Sequence, residues 1–588
     1  MDYTKVSQQI NDVVGDNVKK LAGLFPSAVK DGEVDFEALK EELGVFTEVG
    51  AEKYELTWAG KADAKRIARE DIIGKTLKYI PEDSKDADTT ENLYIEGDNL
   101  EVLKLLRQNY YGAIKMIYID PPYNTGNDFV YNDSFAMKKE QSDLAEGITN
   151  ELGERYTVNK DSQNRYHTNW LNMIYPRLKI AKDLLREDGV IFISIGDEEV
   201  CNLKKIVDEI FGERNYITNL IWQSTPGSNT GDDVKTVTEN ILLYGKNKKC
   251  CKFMNQLISN NEKYSNKDEY FEKRGGYVLN KLDRRMTGTH YSEALNYPVD
   301  MPDGTKLYPG NSNEKQEHWN WRWSSSKVQW GIDNGFIVMK QSKDGWSIYF
   351  KQYEKVNNED KPIERTVSYQ NLLNVDGANS ARGTREVMDL FDGKFFDYPK
   401  PLNLLMYLQN MVLDKEDIVI DFFSGSATAA QAIMQINAED NGNRKYIMVQ
   451  LPELLEENSE AYKSGYKTIC EIGKERIRRA GEKIKSEHPD ADIDIGFKVF
   501  RVAETNIKWN SLIDMGQLDL KQMETSPDTI DFMPNVKDVD VVYELMLRQR
   551  NIPLSLNIEQ IFGGGGTNVL TFMRIVTWFV LRQKLQMN

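Results

Sequence analysis

The chain has 588 residues and a formal net charge of −17 at pH 7. Its length predicts roughly three or four domains, and its charge excludes a protein that is basic throughout, although a local basic groove remains compatible with it. No apolar run approaches the roughly 18 residues that cross a bilayer, and the N-terminus lacks a signal-peptide pattern, so we expect a cytoplasmic protein with no membrane partner. The 4 cysteines and 4 histidines are not spaced as metal ligands, and we expect no metal site.

The first elements in chain order alternate between helix and strand. Residues 1–88 form a polar, mainly helical stretch. After it, 92–96 predicts a strand, 99–106 a helix and 116–119 a second, apolar strand. Strand, helix and strand within about 30 residues is typical of a parallel sheet. The sequence therefore predicts an α/β fold.

An Asp-Pro-Pro-Tyr sequence follows the second strand. Neither Pro121 nor Pro122 has a backbone N–H, so the strand ends at Asp120. The carboxylate, a proline carbonyl and the ring of Tyr123 are thereby placed at the carboxyl end of a parallel strand, where open α/β sheets bind ligands. This combination suits a slot for a planar heterocycle that donates hydrogen bonds. Taken alone, the motif is equally compatible with a sharp turn.

The alternation of helices and strands stops in the region from about 246 to 379. This region is polar and irregular, and its aromatic residues are interleaved with arginine and lysine. Such interleaving is typical of surfaces that stack on bases and contact phosphates. For any one of these aromatic residues, the alternative is a structural role in a small core that contains tryptophan. The candidates for DNA contacts are Trp319, Trp321, Arg322, Trp323, Arg284 and Arg285.

The alternation resumes with a possible cofactor site. A strand runs into Asp421-Phe-Phe-Ser-Gly425-Ser and then a helix, and a second strand ends about 25 residues later near Gln450 and Glu453. Gly425 lets the backbone approach a ligand, and the helix N-terminus favours an anionic group. Gln450 or Glu453 could bond ribose hydroxyls. The full G-x-G-x-x-G is absent, because Ala427 occupies one glycine position, so we predict S-adenosylmethionine instead of a phosphate cofactor.

The two motifs together resemble the β-order amino-DNA methyltransferases, in which the catalytic motif precedes the cofactor motif. More specifically, the chain resembles the modification subunit of type III restriction-modification systems. The resemblance also rests on 97–100, 167–178, 397–402 and 449–453. It implies a Rossmann-like, mainly parallel methyltransferase sheet with helices on both faces, an inserted mixed target-recognition domain, and smaller N- and C-terminal modules.

The resemblance implies N6 methylation of an adenine flipped out of double-stranded DNA. Asp120, Pro121, Pro122 and Tyr123 would form the catalytic loop: Asp120 and the Pro121 carbonyl accept the amine N–H bonds, and Tyr123 stacks on the base. The resemblance also implies a homodimer and is compatible with a partner restriction subunit, the alternative role being an orphan or phase-variable regulator. The implied cofactor residues are Asp421, Phe422, Phe423, Gly425, Thr428, Gln450, Glu453, Lys400, Pro401 and Asp98, of which Asp98 could instead be a helix cap.

The predicted organisation has five parts. These are an N-terminal module (1–88), a catalytic half (89–245), a target-recognition domain (246–382), a cofactor half (383–496) and a C-terminal module (497–588). After the four glycines at 563–566 the sequence leaves the family pattern, and we hypothesise that a repetitive glycine-coding tract has shifted the frame and truncated the protein. A flexible linker is the alternative.

Two other functions are compatible with the motifs. Cytosine-N4 methylation uses the same slot, although Asp before Pro-Pro favours adenine by resemblance. A non-catalytic DNA-binding specificity subunit would be expected to have a damaged Asp120 loop, and here that loop is intact.

Overall fold

The computed structural model describes part of the chain. The described residues are 11–30, 33–36, 39, 55–125, 129–131, 156–158, 166–226, 234–257, 261–286, 290–343, 345–508, 531–534, 536–550, 552–556, 558, 560–562, 569–572 and 579–582. Contacts divide the chain into two compact units, one formed by 1–253 with 370–588 and the other by 254–369. The glycines at 563–566 lie outside the described residues.

The helices are numbered here in chain order. They are α1 (Val13–Leu24), α2 (Lys61–Arg69), α3 (Asn99–Leu106), α4 (Tyr166–Leu184), α5 (Val200–Phe211), α6 (Phe271–Arg274), α7 (Ser325–Asp333), α8 (Ser380–Phe391), α9 (Leu402–Asn410), α10 (Thr428–Asp440), α11 (Glu460–Lys463), α12 (Ile469–Glu487) and α13 (Asp538–Met546).

The strands are numbered in the same way. They are β1 (Val29–Lys30), β2 (Glu33–Val34), β3 (Lys75–Tyr79), β4 (Leu93–Glu96), β5 (Ile114–Ile119), β6 (Phe129–Tyr131), β7 (Tyr156–Val158), β8 (Leu185–Ile195), β9 (Tyr216–Gln223), β10 (Thr238–Gly245), β11 (Gln256–Leu257), β12 (Tyr277–Lys281), β13 (Asp283–Arg285), β14 (Val299–Asp300), β15 (Lys306–Leu307), β16 (Trp319–Trp321), β17 (Ile337–Ser342), β18 (Gly345–Tyr353), β19 (Thr366–Val367), β20 (Leu372–Leu373), β21 (Ile418–Asp421), β22 (Lys445–Gln450), β23 (Lys498–Glu504), β24 (Ile507–Lys508), β25 (Asp531–Phe532), β26 (Gln560–Phe562), β27 (Val569–Phe572) and β28 (Phe579–Arg582).

A ten-stranded sheet forms the larger unit, in the order β20-β9-β10-β8-β5-β21-β22-β4-β23-β3. The six strands from β8 to β23 in this order are parallel to one another, whereas β10 and β3 run antiparallel to their neighbours. Central strands such as β5 are buried along their whole length, as expected where helices cover both faces. The fold is the predicted α/β class with a mainly parallel sheet.

The strand order differs from the chain order in one respect that matters for the site. Strands β4 and β5 are joined by α3, as predicted, but β21 and β22 lie between them in the sheet. The carboxyl ends of β5 and β21 are therefore neighbours, with Ile117 paired to Ile420. The two sequence motifs meet at one edge of one sheet.

The terminal modules of the sequence prediction contribute to the same sheet. Strand β3 from the N-terminal module pairs with β23 from the C-terminal module, and β23 pairs in turn with β4. The sequence pattern of β3 and β23 does not predict that these two distant segments pair with each other. The five-part division remains a prediction.

The smaller unit, 254–369, has its own core. Strands β12, β18 and β17 form an antiparallel sheet, and β13 pairs with β16. Trp321, Phe336 and Tyr353 are buried in its centre. The guanidinium of Arg274 lies 4.4 Å from the centroid of the Phe336 ring and pairs with Asp360, so a buried cation also stabilises this unit.

Candidate active site

Two carboxylates stand at the carboxyl edge of the parallel strands. Asp120 follows β5, which ends because two prolines succeed it, and Asp421 is the last residue of β21. Burial raises the pKa of Asp120 although Lys400 opposes this effect, and burial raises the pKa of Asp421 well above its usual value. Partly desolvated acids at a strand edge mark a functional site in an α/β protein.

Four side chains surround the end of β5 and are here called the acceptor cluster: Asp120, Tyr123, Glu239 and Lys400. The ammonium of Lys400 lies 3.0 Å from Oδ1 of Asp120 and 3.3 Å from Oε2 of Glu239. It also donates to the hydroxyl of Tyr123 at 2.9 Å, and that hydroxyl donates to Glu239 at 2.7 Å. One ammonium is therefore shared by two carboxylates and a phenol.

The acceptor cluster keeps its lysine charged. Burial alone would lower the pKa of Lys400, but the neighbouring carboxylates of Asp120 and Glu239 raise it overall. Burial raises the pKa of Tyr123 well above its usual value, and the two carboxylates reinforce this. The phenol therefore remains protonated and able to donate to Glu239.

The loop that carries Asp120 is anchored from helix α4. The indole N–H of Trp170, which is fully buried, donates to the carbonyl of Pro122 at 2.8 Å. Asn124 adopts a left-handed conformation with φ of 61° and donates to buried Glu199 at 2.6 Å. Nδ1 of His167 lies 2.6 Å from the same carboxylate. These contacts fix the loop on both sides of Tyr123.

Hydrogen bonds from backbone N–H groups to two side chains hold the predicted cofactor loop. Oδ1 of Asp421 accepts the N–H of Phe423 at 3.0 Å, and the N–H of Gly425 donates to the side-chain oxygen of Gln450 at 2.8 Å. Gly425 has φ of +49°, and a Cβ there would come within 3.2 Å of the Phe396 ring, so this turn favours glycine. Gln450 thus shapes the loop, and its predicted ribose contact stays a prediction.

A buried arginine secures the start of the helix after that loop. Arg476 in α12 is fully buried and donates to Gln431 at 2.9 Å, Ser426 at 2.7 Å and Thr428 at 2.6 Å. Burial lowers its pKa to about 10, so it remains charged at neutral pH. Thr428, predicted as a cofactor residue, is therefore a partner of Arg476.

Other predicted cofactor residues have structural contacts of their own. Asp98 caps α3 through the N–H of Leu100 at 2.7 Å and pairs with buried Arg177 at 3.2 Å. Pro401 is the N-cap residue of α9, and Phe422 is buried in the core. Lys400 lies in the acceptor cluster next to the catalytic loop. The ligand contacts of these residues, and of Glu453, stay predictions.

The predicted DNA contacts fall into two groups. Trp321 is fully buried, with its indole N–H donating to the carbonyl of Tyr297 at 2.8 Å, and Trp323 is also buried in the core of the smaller unit. Arg285 and Arg322 are exposed, whereas Arg284 and Trp319 are half-buried. The exposed arginines are the better placed for contacts with a phosphate backbone.

Sequence reasoning missed Glu239, Trp170 and Arg476 as parts of the site. Glu239 is the second residue of β10, two positions before the apolar residues of that strand, and a polar residue at a strand end is the one signal of a site there. Its position depends on β10 running antiparallel, and the sequence did not predict that direction. Trp170 and Arg476 lie on helices whose sequence patterns are those of helices that pack against a hydrophobic core.

Within the ranges given above, no group of three or more His, Cys, Asp or Glu residues is arranged to hold a metal ion. No helix in the described part of the chain is both long and apolar enough to cross a membrane.

The fold and the site define an α/β enzyme with two adjoining ligand loops at one sheet edge, and comparison with known proteins identifies the class. Residues 114–480 match the model of the N6_N4_Mtase family, described as DNA methylase. The match includes both the Asp120 loop and the Asp421 loop.

Curated relatives agree with the family match. The chain is 34% identical over 462 residues to the type III restriction-modification enzyme StyLTI Mod subunit of Salmonella typhimurium, covering 76% of this chain and 66% of that protein. It is 33% identical to the EcoPI Mod subunit of Escherichia phage P1 and 34% identical to the EcoP15I Mod subunit of Escherichia coli, each over 83% of this chain and 78% of the relative.

The chain therefore belongs to the DNA methylase family, and within it to the modification subunits of type III systems. It is a DNA methyltransferase, and its family supports S-adenosylmethionine as the cofactor. A solved PvuII cytosine-N4-specific DNA methyltransferase matches with 14% identity and a TM-score of 0.31, covering 67% of this chain and 94% of that chain, which is too low to bear on the target base.

Proposed function

We propose that the chain transfers a methyl group from S-adenosylmethionine to N6 of an adenine flipped out of double-stranded DNA, as the modification subunit of a type III restriction-modification system. The observation that carries the proposal is the acceptor cluster, in which Lys400 holds the Asp120 carboxylate and the Tyr123 hydroxyl together. The cluster lies at the same edge of the sheet as the Asp421 loop.

The exocyclic amine of adenine is a poor nucleophile because its lone pair is delocalised into the ring. Asp120 and the carbonyl of Pro121 can accept its two N–H bonds and so favour a tetrahedral nitrogen with a localised lone pair. Trp170 holds the Pro122 carbonyl, which fixes the orientation of the neighbouring peptide. Because reaction depends on alignment, a rigid loop favours catalysis.

The ring of Tyr123 provides the stacking surface for the base. Its hydroxyl bonds to Glu239 and Lys400 hold the ring in one orientation. Extruding a base costs a few kcal/mol, and stacking in a pocket offsets part of this cost. After the transfer, the methylated nitrogen loses a proton, which Asp120 is suited to accept because burial raises its pKa.

The loop from Asp421 to Ser426 has the donor set expected for the cofactor. When bound, S-adenosylmethionine supplies a cationic sulfonium methyl group. A buried carboxylate at Asp421 suits the positive amino group of such a molecule, and the start of α10 suits its carboxylate. We assign this loop and the start of α10 to the cofactor on that ground.

The proposal extends to partners. The relatives named Mod subunits belong to restriction-modification enzymes, so we expect double-stranded DNA as substrate and a restriction subunit as a partner. We propose assembly as a homodimer from the family resemblance alone. We also place the protein in the cytoplasm, where chromosomal DNA is accessible.

Single-molecule sequencing of DNA from host cells tests the proposal. Cells that express the wild-type chain should carry N6-methyladenine at one short recognition sequence, and cells that express Asp120→Ala should lose it. Loss of 4-methylcytosine instead would identify the cytosine-N4 alternative. The same base modifications in both strains would overturn the proposal.

A further inference from the structure

We infer that Glu239 is a positioning residue for methyl transfer, which sets the Tyr123 ring and shares the Lys400 ammonium so that Asp120 keeps capacity to accept the substrate amine. The inference rests on the function proposed above. It assigns a role to a side chain outside both sequence motifs.

The position of Glu239 follows from strand direction. It is the second residue of β10, which runs antiparallel between β8 and β9. The beginning of β10 therefore lies at the edge where the parallel strands end. Asn240 pairs with Ile195 at the end of β8, which places Glu239 beside the catalytic edge.

Glu239 defines the hydrogen-bond direction of Tyr123. Lys400 has only protons to offer, so it donates to the phenol oxygen at 2.9 Å, and the phenol proton must point elsewhere. It points to Oε2 of Glu239 at 2.7 Å. On the other side, a Cβ at Gly196 would come within 3.1 Å of a Tyr123 ring carbon, so the ring also packs closely against the backbone after β8.

Glu239 also shares the ammonium of Lys400 with Asp120. The lysine side chain is 13% exposed and contacts carboxylates at 3.0 Å and 3.3 Å, those of Asp120 and Glu239 respectively. Were Glu239 neutral, the ammonium would be attracted mainly to Asp120 and would engage that carboxylate more strongly. Asp120 would then be a weaker acceptor for the N–H bonds of the base.

Glu239→Gln tests the inference, because it preserves size and a hydrogen-bond acceptor while removing the charge. We expect kcat for methyl transfer to fall about 10- to 100-fold with little change in KM for S-adenosylmethionine.

Glu239 contributes to the raised pKa of Asp120, so its neutralisation should lower that pKa. Since activity requires ionised Asp120, the acid limb of the kcat/KM profile should move to lower pH. The charged and titratable groups that face Asp120 are Lys400, Glu239, Tyr123, Tyr118 and Asp421.

The chain offers a matched control at the other end of the same strand. Tyr244 donates to Asp208 at 2.7 Å and Lys204 pairs with Asp208 at 2.8 Å, which repeats the tyrosine, carboxylate and lysine arrangement away from the catalytic edge. Asp208→Asn should change thermal stability as much as Glu239→Gln does, but it should leave kcat and the pH profile unchanged.

A double-mutant cycle with Tyr123→Phe separates positioning from simple structural support. If Glu239 acts through the phenol, the combined loss in kcat should be smaller than the product of the two single losses. The inference would be overturned if the wild-type protein methylates DNA and the Glu239→Gln variant has the same kcat and the same pH profile. A lowered kcat accompanied by an unmoved acid limb and strictly multiplicative effects would also overturn it. Absence of methylation by the wild-type protein itself would instead contradict the proposed function.

Discussion

The ammonium of Lys400 lies 3.0 Å from Oδ1 of Asp120, although the sequence motifs assign these two residues to opposite halves of the methyltransferase domain. The contact is possible because the residues just before α9 reach the end of β5 at the shared sheet edge. Lys400 is thus placed to control the ionisation of the catalytic carboxylate.

Removal of that charge should change the pH dependence of methylation. Burial raises the pKa of Asp120 and Lys400 lowers it, so Lys400→Met should raise it further. Activity requires the ionised carboxylate and therefore increases as pH rises through this pKa. The acid limb of the kcat/KM profile should move to higher pH, opposite to the shift expected for Glu239→Gln. A profile identical to that of the wild type would show that Lys400 does not act on Asp120.

Loss of the Trp170 indole donor should loosen the catalytic loop. Trp170→Phe leaves the half-buried Pro122 carbonyl without its 2.8 Å partner, which should lower the free energy of unfolding by about 0.5–1.5 kcal/mol. We also expect a lower kcat, because the peptide beside the acceptor loses its anchor. Urea denaturation and methyl-transfer kinetics measure the two effects.

Trp58→Phe is the control for this variant. Trp58 is partly buried and donates to Asn172, which lies on α4 as Trp170 does, at 2.6 Å, and this bond does not involve the Asp120 loop. The Trp58→Phe variant should have a lower free energy of unfolding than the wild type but an unchanged kcat. If both tryptophan variants lower kcat in proportion to their stability loss, the loop-anchoring role is contradicted.

Exposed arginines of the smaller unit should contribute to DNA affinity. Arg285→Ala and Arg322→Ala should each weaken binding, and each should reduce the slope of log K against log salt by about 1 if the arginine contacts a phosphate. Fluorescence anisotropy with duplex DNA over a salt series measures this. Unchanged affinity and slope in both variants would remove these arginines from the DNA surface.

The sequence was sufficient for the parts of the site that depend on local chemistry. The two prolines after Asp120 end β5 wherever it lies in a sheet, and the glycine at 425 permits the tight loop after β21. Because both loops follow parallel strands, their common edge could also be expected. The methyltransferase class followed from the combination of the two motifs.

Other parts depend on distant pairing that local patterns do not encode. The antiparallel direction of β10 brings Glu239 to the site, and the insertion of β21 and β22 between β4 and β5 makes the two loops neighbours. The tryptophans at 321 and 323 are buried in a core, and the sequence does not distinguish them from the exposed arginines because alternation along a short segment does not reveal which side faces a core.

The central claim is that Asp120 accepts the amino group of an adenine. Purified wild-type protein and Asp120→Ala should be incubated with duplex DNA and S-adenosylmethionine, and the digested nucleosides quantified by mass spectrometry, with melting temperatures compared to verify folding. We predict N6-methyladenine from the wild type and a rate lower by about 10²- to 10³-fold or more in the variant. Equal N6-methyladenine from both proteins, or 4-methylcytosine as the wild-type product, would contradict the account.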